Sequence, residues 1–530
     1  MSTREQILFQ RPPAQAAISG FIERSATTSP IHPTTTLGVM LVCVVFCAIV
    51  LLTWSSVDEF TLLAQPVMAG ALTFAAIALN GWLFRLKLNS FVTVALSCYA
   101  AFHLLEIVPV QLGLCDEVFT RASHSGFRHA ILLYDLFLVG CEFGVCCGVL
   151  TNRRSKLSRR HSKFDRGQGT ALWPTGQIMA IAGLALCAVG IIQLGPIQFL
   201  LGDYADTFRL RTEVDPRAFT IGLWAMPCGL LIMLAGATTR RRVRLCAIAS
   251  LAVFIFCVLL GNRGQGYTFV LAALVIAFRR RFTKHLWRVG LLLGILVVFM
   301  SPILKSMRQL PMAERFSTAA LPSLVSLWDG PREIGGTFRS LVYAVELVPG
   351  RGDFWYGRSY TDAFSRLWPN LNLSWTASYF DTTRQMRVGE WLTYTLMPGI
   401  WRAYGGDGSS GIAEPYVNFG AIGVPIHFAV LFFLLYRFDR TVAAKGSNVA
   451  LAIGAVFLMP VCWSARDDVY SIVRPAMWAI AVIWLGVRIF SRRQSFGRAR
   501  HFGPVNEAGQ RSVLPSSRRQ NPMAGVVSPE

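Results

Sequence analysis

Long apolar segments recur along this chain and constrain its fold more than any other feature. They have the length of roughly 17–25 residues that a helix needs to cross a bilayer, so we expect an all-α, polytopic membrane protein with about 12 transmembrane helices. The predicted spans lie near residues 37–54, 61–84, 89–110, 129–150, 173–195, 219–237, 245–260, 266–279, 289–304, 417–437, 448–463 and 472–490.

Basic residues mark the connections between these runs. The chain is 53% hydrophobic and 15% charged, yet its formal net charge is +22. Such an excess would suit a nucleic-acid-binding protein, but the Lys and Arg residues stand in short clusters between apolar runs, which is the pattern of membrane topology signals. No aromatic-basic nucleic-acid motif accompanies them. We therefore expect no nucleic acid partner.

The alternation of these clusters predicts the orientation. Loops such as 55–60 and 464–471 are poor in Lys and Arg, whereas basic loops fall on the other side at 85–87, 153–166, 240–244, 279–288 and 437–445. The positive-inside rule then puts both termini in the cytoplasm. The expected segments are an N-terminal tail at 1–36, helices 1–9 within 37–304, a large loop at 305–416, helices 10–12 within 417–490, and a basic, disordered tail at 491–530.

The large loop at 305–416 is rich in aromatic residues, and its basic residues, Arg384 among them, are almost all arginine. Short amphipathic helices are expected at 335–347, 359–368 and 389–403, lying over the membrane face. Arginine suits bidentate phosphate contact and aromatic faces suit sugar rings, a combination that fits an anionic glycolipid. The alternative is a structural cap whose arginines pair with nearby acidic residues.

A glycine-rich turn leads from this loop into the apolar run at 417–437. After the turn come Glu414, Tyr416 and Asn418. Polar and ionisable groups at the edge of a membrane helix cost free energy and often mark a substrate path. We therefore take the three residues as candidate site residues. The alternative is an ordinary polar helix end.

Arginines stand in outer connections that the topology rule would keep poor in basic residues, and we take three of them as candidate site residues. Arg209 and Arg211 share a loop with Tyr204, and Arg263 lies in the glycine turn at 261–264. Glycines there allow close backbone approach. An arginine at that depth must face a cavity, a partner or lipid headgroups. A solvated loop and headgroup contact are the alternatives to a binding site.

Cysteine spacing does not indicate a metal site or a disulfide framework. The 12 cysteines lie almost all inside apolar runs, where they act as small apolar residues. No DxD-like acidic pair stands on the predicted outer side. The sequence therefore predicts a site without a metal or a cofactor.

Two motifs give the sequence a family resemblance. The run from Val348 to Asn370 contains YGRSY at 356–360, and SGIAEPYVNFGAIG follows at 410–423. They resemble the "P…YG-S-Y" and "S-x-I-A-E-x-Y-x-N-F-G-x-x-G" segments of bacterial oligosaccharide repeat-unit polymerases, the O-antigen polymerase family. The GNRG turn resembles the family's xRG turn, and Arg211 precedes a glycine at the R-x10-G spacing described for some members. Extra charges around the first motif leave the sugar specificity open.

The resemblance implies an enzyme of the bacterial inner membrane whose large loop is periplasmic. It would transfer a growing chain from undecaprenyl pyrophosphate to a hydroxyl of a fresh lipid-linked repeat unit, which builds O-antigen or exopolysaccharide. Arginines would stabilise the leaving pyrophosphate without a metal, and Glu414 would act on the acceptor hydroxyl. The catalytic candidates are Glu414, Arg211 and Arg263; the substrate-binding candidates are Arg209, Tyr204, Tyr356, Arg358, Tyr360, Arg384, Tyr416 and Asn418.

Two alternatives stay open: an O-antigen ligase or another lipid-linked glycan transferase, and a transporter. An O-antigen ligase has a similar architecture but is expected to use a histidine in the large loop, and none of the 8 histidines lies between 305 and 416. A transporter of lipid-linked sugars often shows matching halves, and none are evident here. The expected partners of a polymerase are undecaprenyl-pyrophosphate-linked oligosaccharides, membrane lipid, a chain-length regulator protein and a flippase.

Overall fold

The computed structural model describes residues 59–111, 123–152, 162–196, 217–260, 262–280, 303, 310, 329–350, 352–365, 367, 387–399 and 408–501. All regular structure in these ranges is helical. The helices are α1 (Glu59–Leu83), α2 (Phe91–Gln111), α3 (His124–Asn152), α4 (Ser162–Leu194), α5 (Arg217–Gly236), α6 (Arg240–Leu259), α7 (Arg263–Arg279), α8 (Asp329–Gly335), α9 (Thr337–Leu347), α10 (Arg358–Ser365), α11 (Val388–Leu396), α12 (Ala413–Lys445), α13 (Asn448–Ser464) and α14 (Tyr470–His501).

Within the described residues, 7 helices are long and apolar enough to cross a membrane: α1 to α5, α12 and α14. Two shorter apolar helices correspond to α7 and α13. The expectation of an all-α, polytopic membrane protein is therefore confirmed. The predicted span at 37–54 and nearly all of the one at 289–304 lie outside the described residues, so the total of about 12 spans stays a prediction.

Some predicted boundaries differ from the observed ones. α12 begins at Ala413, so Glu414 lies in the first helical turn rather than in the loop. α14 continues to His501, and the disordered tail predicted from 491 was therefore wrong for residues 491–501. Arginine and glutamine are good helix formers, and they carry this helix beyond its apolar part. In the large loop, α9, α10 and α11 confirm the three short helices.

The helix that carries the second motif, α12, packs closely against α3. Gly140, Gly144 and Gly148 follow one another at four-residue spacing along α3, and side chains there would collide with the backbone of Pro425, the backbone of Ala429 and a ring further along α12. Small residues at this spacing let two membrane helices approach closely. The glycines of α3 therefore allow α12 to pack at this position.

At the opposite end of α12 from Glu414, Asp439 joins three helices. Its carboxylate accepts the backbone N–H groups of Phe91 and Val92 at 2.9 and 3.1 Å, which caps the start of α2. It also pairs with Arg279 at the end of α7. The Arg279 guanidinium lies 4.1 Å above the Phe91 ring. Arg279, predicted to belong to a basic topology cluster, therefore has a structural partner as well.

Candidate active site

Ser410 fixes the start of α12. Its carbonyl accepts the Glu414 N–H at 3.3 Å, and its hydroxyl lies 2.8 Å from Nε2 of His103 on α2. Nδ1 of the same imidazole lies 2.9 Å from the Tyr99 carbonyl. Because a carbonyl can only accept, Nδ1 carries the proton and Nε2 accepts from Ser410. A buried histidine that the sequence analysis had not singled out thus positions the motif.

The side chain of Glu414 is held from two other parts of the chain. Its Oε1 accepts a hydrogen bond from the Ser359 hydroxyl of α10 at 2.5 Å, and its Oε2 accepts the Val469 N–H of the α13–α14 turn at 2.5 Å. The side-chain amide of Asn418 donates to the Ser359 hydroxyl and to the backbone carbonyl of Glu414, both at 2.8 Å. The Glu414 side chain is only 1% exposed. Ser359, the serine of the first motif, is only partly buried and bonds directly to this buried carboxylate.

The two motifs are also joined through their backbones at a kink in α12. Gly420 has φ 68° and ψ −163°, a conformation essentially restricted to glycine. This interrupts the helical hydrogen bonds, and the carbonyls of Val417 and Asn418 instead accept the N–H groups of Trp355 and Tyr356 at 2.9 and 3.0 Å. The segment before α10 is thus attached to α12 beside Glu414.

Replacing Gly420 with alanine is expected to disrupt this attachment. A side chain strains the observed backbone by about 1–3 kcal/mol and favours a continuous helix, which would withdraw both carbonyls from the loop segment. We expect faster proteolysis of residues 352–365 and reduced activity. Gly446→Ala is the matched control, because Gly446 also has positive φ but no atom lies within 4 Å of an added Cβ. Equal protease sensitivity in the two variants would contradict the proposed role of the kink.

Tyr360 contacts a histidine of α12. Its hydroxyl lies 2.9 Å from His427 Nδ1, and its ring packs beside Phe419 at a centroid distance of 5.6 Å. Burial, and next to it the charge of Glu414, raise the pKa of Tyr360 well above its ordinary value, so the phenol stays protonated. A histidine thus contacts the loop although none lies within 305–416: His427 is a polar residue in an apolar run and reaches the loop from the membrane helix.

An acidic turn between α13 and α14 completes the surroundings of Glu414. Arg387 at the start of α11 lies 3.8 Å from Asp467 and 3.9 Å from Asp468. Burial, followed by the charge of Asp467, raises the pKa of Asp468 to about 7, although Arg387 opposes the shift. This carboxyl group directly precedes the Val469 N–H that binds Glu414.

The turn that contains Arg263 lies against this region. A Cβ at Gly264 would overlap the Trp463 ring, and Trp463 Nε1 donates to Asp467 Oδ2 at 2.8 Å. The expected close approach at Gly264 is therefore confirmed. Arg263 is the first residue of α7, and its side chain is outside the described part of the structure.

The remaining predicted site residues fall into three groups. The Tyr416 hydroxyl donates to the Val348 carbonyl at 2.7 Å, so it serves to hold the loop against α12. Tyr356 and Arg358 are exposed at the start of α10. The positions of Tyr204, Arg209, Arg211 and Arg384 lie outside the described residues.

One loop arginine supports the alternative of a structural cap. Arg339 on α9 forms an ion pair with Glu106 on α2, with N and O atoms 2.7 Å apart. Glu106 is fully buried, and this pair anchors the loop helix to the membrane bundle. Its partner is a membrane-helix acid rather than one of the loop's own acids.

Residues 39–494 match the family described as O-antigen polysaccharide polymerase Wzy. The matched region contains both joined motifs and the Arg263 turn. The chain belongs to this family. It is also similar to Protein CapE of Staphylococcus aureus, with 23% identity over 304 residues, which is 56% of this chain and 62% of CapE. The match therefore spans less than two thirds of that relative. No solved structure matches the chain.

In this Wzy family member, the two motifs meet at a buried carboxylate and a hydroxyl, which are groups suited to acid–base chemistry. Glu414 and Ser359 form an acceptor–donor pair that can take up a proton. In the part of the chain that the structure describes, no group of three or more His, Cys, Asp or Glu residues could hold a metal ion. Absence of a metal from the reaction remains an expectation from the sequence.

Proposed function

We propose that this chain is a glycosyltransferase that polymerises undecaprenyl-pyrophosphate-linked oligosaccharide repeat units into O-antigen or exopolysaccharide. The observation that carries the proposal is the hydrogen bond between Ser359 and Glu414, because it joins the two motifs at a buried carboxylate in a Wzy family chain. The growing chain is the donor, and a fresh lipid-linked unit is the acceptor.

In the proposed reaction, the acceptor hydroxyl binds at Ser359. Its proton passes to the Ser359 oxygen while the Ser359 proton passes to Glu414 Oε1, so that the acceptor oxygen can attack the anomeric carbon of the donor. The bond from that carbon to the pyrophosphate oxygen breaks, and the lipid pyrophosphate leaves with the electron pair. Arg211 and Arg263 stabilise its charge, which fixed cations can do without a metal.

The remaining substrate-binding residues divide between the phosphate groups and the sugars of the substrates. Arg209 and Arg384 bind phosphate together with the catalytic arginines, since the guanidinium fork suits phosphate oxygens. Sugar is bound by Tyr204, Tyr356, Arg358 and Tyr360. Tyr416 holds the loop against α12, and Asn418 positions the hydrogen-bonded pair of Ser359 and Glu414. A flippase supplies the lipid-linked units, and a chain-length regulator acts on the growing chain.

The proposed location is the periplasmic face of the bacterial inner membrane, with both termini in the cytoplasm. This arrangement predicts that reporter fusions at Gly330 and Gly389 behave as periplasmic and that a fusion at Ser162 behaves as cytoplasmic. Paired alkaline phosphatase and green fluorescent protein fusions at each position measure this. A cytoplasmic signal at Gly330 would contradict the proposed orientation, because the basic clusters at 85–87 and 437–445 would then lie outside.

The function is tested with purified full-length protein in proteoliposomes. Lipid-linked repeat units extracted from cells that lack the polymerase are added, and products are separated by length. We expect a ladder of lipid-linked glycans that persists when EDTA removes divalent cations. Single repeats alone, with folded protein present, would overturn the proposal, and a ladder that EDTA abolishes would overturn its metal-independent form.

The contact of His427 with the loop favours one second candidate, an O-antigen ligase. A ligase transfers a finished chain to lipid A core rather than to another repeat unit. Adding lipid A core to the same proteoliposomes distinguishes the two activities, because glycan attached to the core identifies a ligase and a lipid-linked ladder identifies a polymerase.

The proposed arginines are tested by lysine substitution. Arg211→Lys and Arg263→Lys keep the charge but lose the planar fork that binds two phosphate oxygens. We expect products to shorten to single repeats at normal protein level in both variants. Arg437→Lys, at an exposed position near the other end of α12, is the control. Full-length ladders in the Arg211 and Arg263 variants would show that these residues act only as anchors.

A further inference from the structure

A cavity of about 630 Å³ lies beside the candidate active site, between the start of α3, the end of α9 and the end of α11. Its volume falls within the range of roughly 300–1,000 Å³ that is typical of ligand sites. Leu347 and Gly350 line it, and Val348 between them accepts the Tyr416 hydroxyl. The segment 347–350 therefore has the cavity on one side and the Glu414 motif on the other.

We propose that this cavity binds non-reacting sugar residues of the lipid-linked saccharide. The inference rests on the proposed function, and it assigns a second saccharide subsite to the same enzyme. Polar side chains that can donate and accept hydrogen bonds line the cavity, together with an aromatic ring, namely Ser123, Ser125, His129, Tyr343 and Glu346. Leu347, Leu396 and Met397 add apolar surface. A sugar ring presents polar edges and an apolar face, so it matches this mixed lining.

The charge of the lining distinguishes sugar from pyrophosphate. No arginine or lysine is among the described residues that line the cavity, whereas Glu346 contributes a carboxylate. A carboxylate repels an anionic pyrophosphate but accepts hydrogen bonds from sugar hydroxyls. The pyrophosphate is therefore assigned to the arginines of the active site and the saccharide to this cavity.

Glu346 is held in place before any ligand arrives. Its Oε1 accepts the Ser123 N–H at 2.5 Å, just before the start of α3. At Gly126 a Cβ would lie 2.7 Å from this carboxylate, so the absence of a side chain there leaves room for Glu346. Its helix, α9, is anchored by a buried apolar face that includes Phe338, Leu341 and Val342. Such fixed groups reduce the ordering cost of binding.

The test uses purified full-length protein in nanodiscs, and the probe is the saccharide released by mild acid from the cells' own lipid-linked repeat unit. Binding is titrated for wild type, Tyr343→Ala and Glu346→Gln. We expect roughly tenfold weaker binding in both variants, since each loses a ring contact or a hydrogen bond. Tyr394→Ala removes a tyrosine ring and Asp353→Asn removes a carboxylate outside the cavity, and both variants are expected to bind as wild type does.

Steady-state polymerisation gives the second measurement. Loss of a remote contact should raise the half-saturating concentration of lipid-linked unit roughly tenfold while the maximal rate is kept. If Tyr343→Ala does not fold, Tyr343→Phe replaces it as the test variant. Because the phenylalanine keeps the ring, this variant should weaken saccharide binding less than tenfold. Wild-type protein that polymerises but binds no released saccharide, or cavity variants that match wild type in both assays, would overturn the subsite alone. Failure of wild type to polymerise would overturn the proposed function instead.

Discussion

Replacing Glu414 with glutamine is expected to stop the reaction at single lipid-linked repeats while the protein still accumulates in the membrane. Glutamine has nearly the same shape, and its amide oxygen can still accept one of the two hydrogen bonds from Ser359 and Val469. It cannot take up the proton that leaves the acceptor hydroxyl. Loss of a general base typically costs about 10²–10⁴-fold in rate, which removes the glycan ladder. Ladder and membrane protein level are measured on the same cells.

A double variant of Glu414 and Ser359 distinguishes a proton relay from a purely structural role. Ser359→Ala interrupts the same relay, so the double variant should be no slower than the slower single variant, because residues that act as a unit are not additive. Asp353→Asn, an exposed carboxylate on the same loop, is the control. Depleted or misfolded Glu414→Gln protein whose remaining molecules polymerise normally would contradict the catalytic role.

The helices could be predicted from the sequence because the membrane imposes their length. An apolar run such as 173–195 has few alternatives to a spanning helix, and α4 covers it up to Leu194. The short loop helices could also be predicted, since the buried residues of α9 recur with a helical period and the residues between them are only partly buried. The tail at 491–501 was misjudged because its polar composition suits both disorder and a helix that extends from an apolar anchor.

The site could be predicted only in part. The motif pattern identified Glu414 and Asn418, and the first motif contains Ser359, but no local pattern says that Ser359 binds Glu414. His103, His427 and the acidic turn before α14 were missed for the same reason. His103 and the acidic turn come from distant parts of the chain, and His427 lies on α12 but contacts the distant Tyr360, so each role depends on which elements pack together. Glycine spacing on α3 was the available signal for that packing.

The second large effect concerns the fold. Arg279→Met is expected to destabilise the protein by about 3–5 kcal/mol, because it leaves the carboxylate of Asp439 buried without its cation. Asp439 is 3% exposed, and the pair links α2, α7 and α12. Thermal denaturation in detergent and the level of membrane protein measure the effect.

Two further variants identify the cause of the stability loss in Arg279→Met. Arg437→Met removes the same charge from an exposed position on α12, so it should change stability little if burial of the pair, rather than the positive-inside signal, is what matters. Arg279→Met combined with Asp439→Asn should be more stable than Arg279→Met alone, since the asparagine is uncharged and can still accept a backbone N–H from the start of α2. Equal losses for Arg279→Met and Arg437→Met would indicate a topology signal instead. A double variant less stable than Arg279→Met would mean that the cap on α2 needs the carboxylate itself.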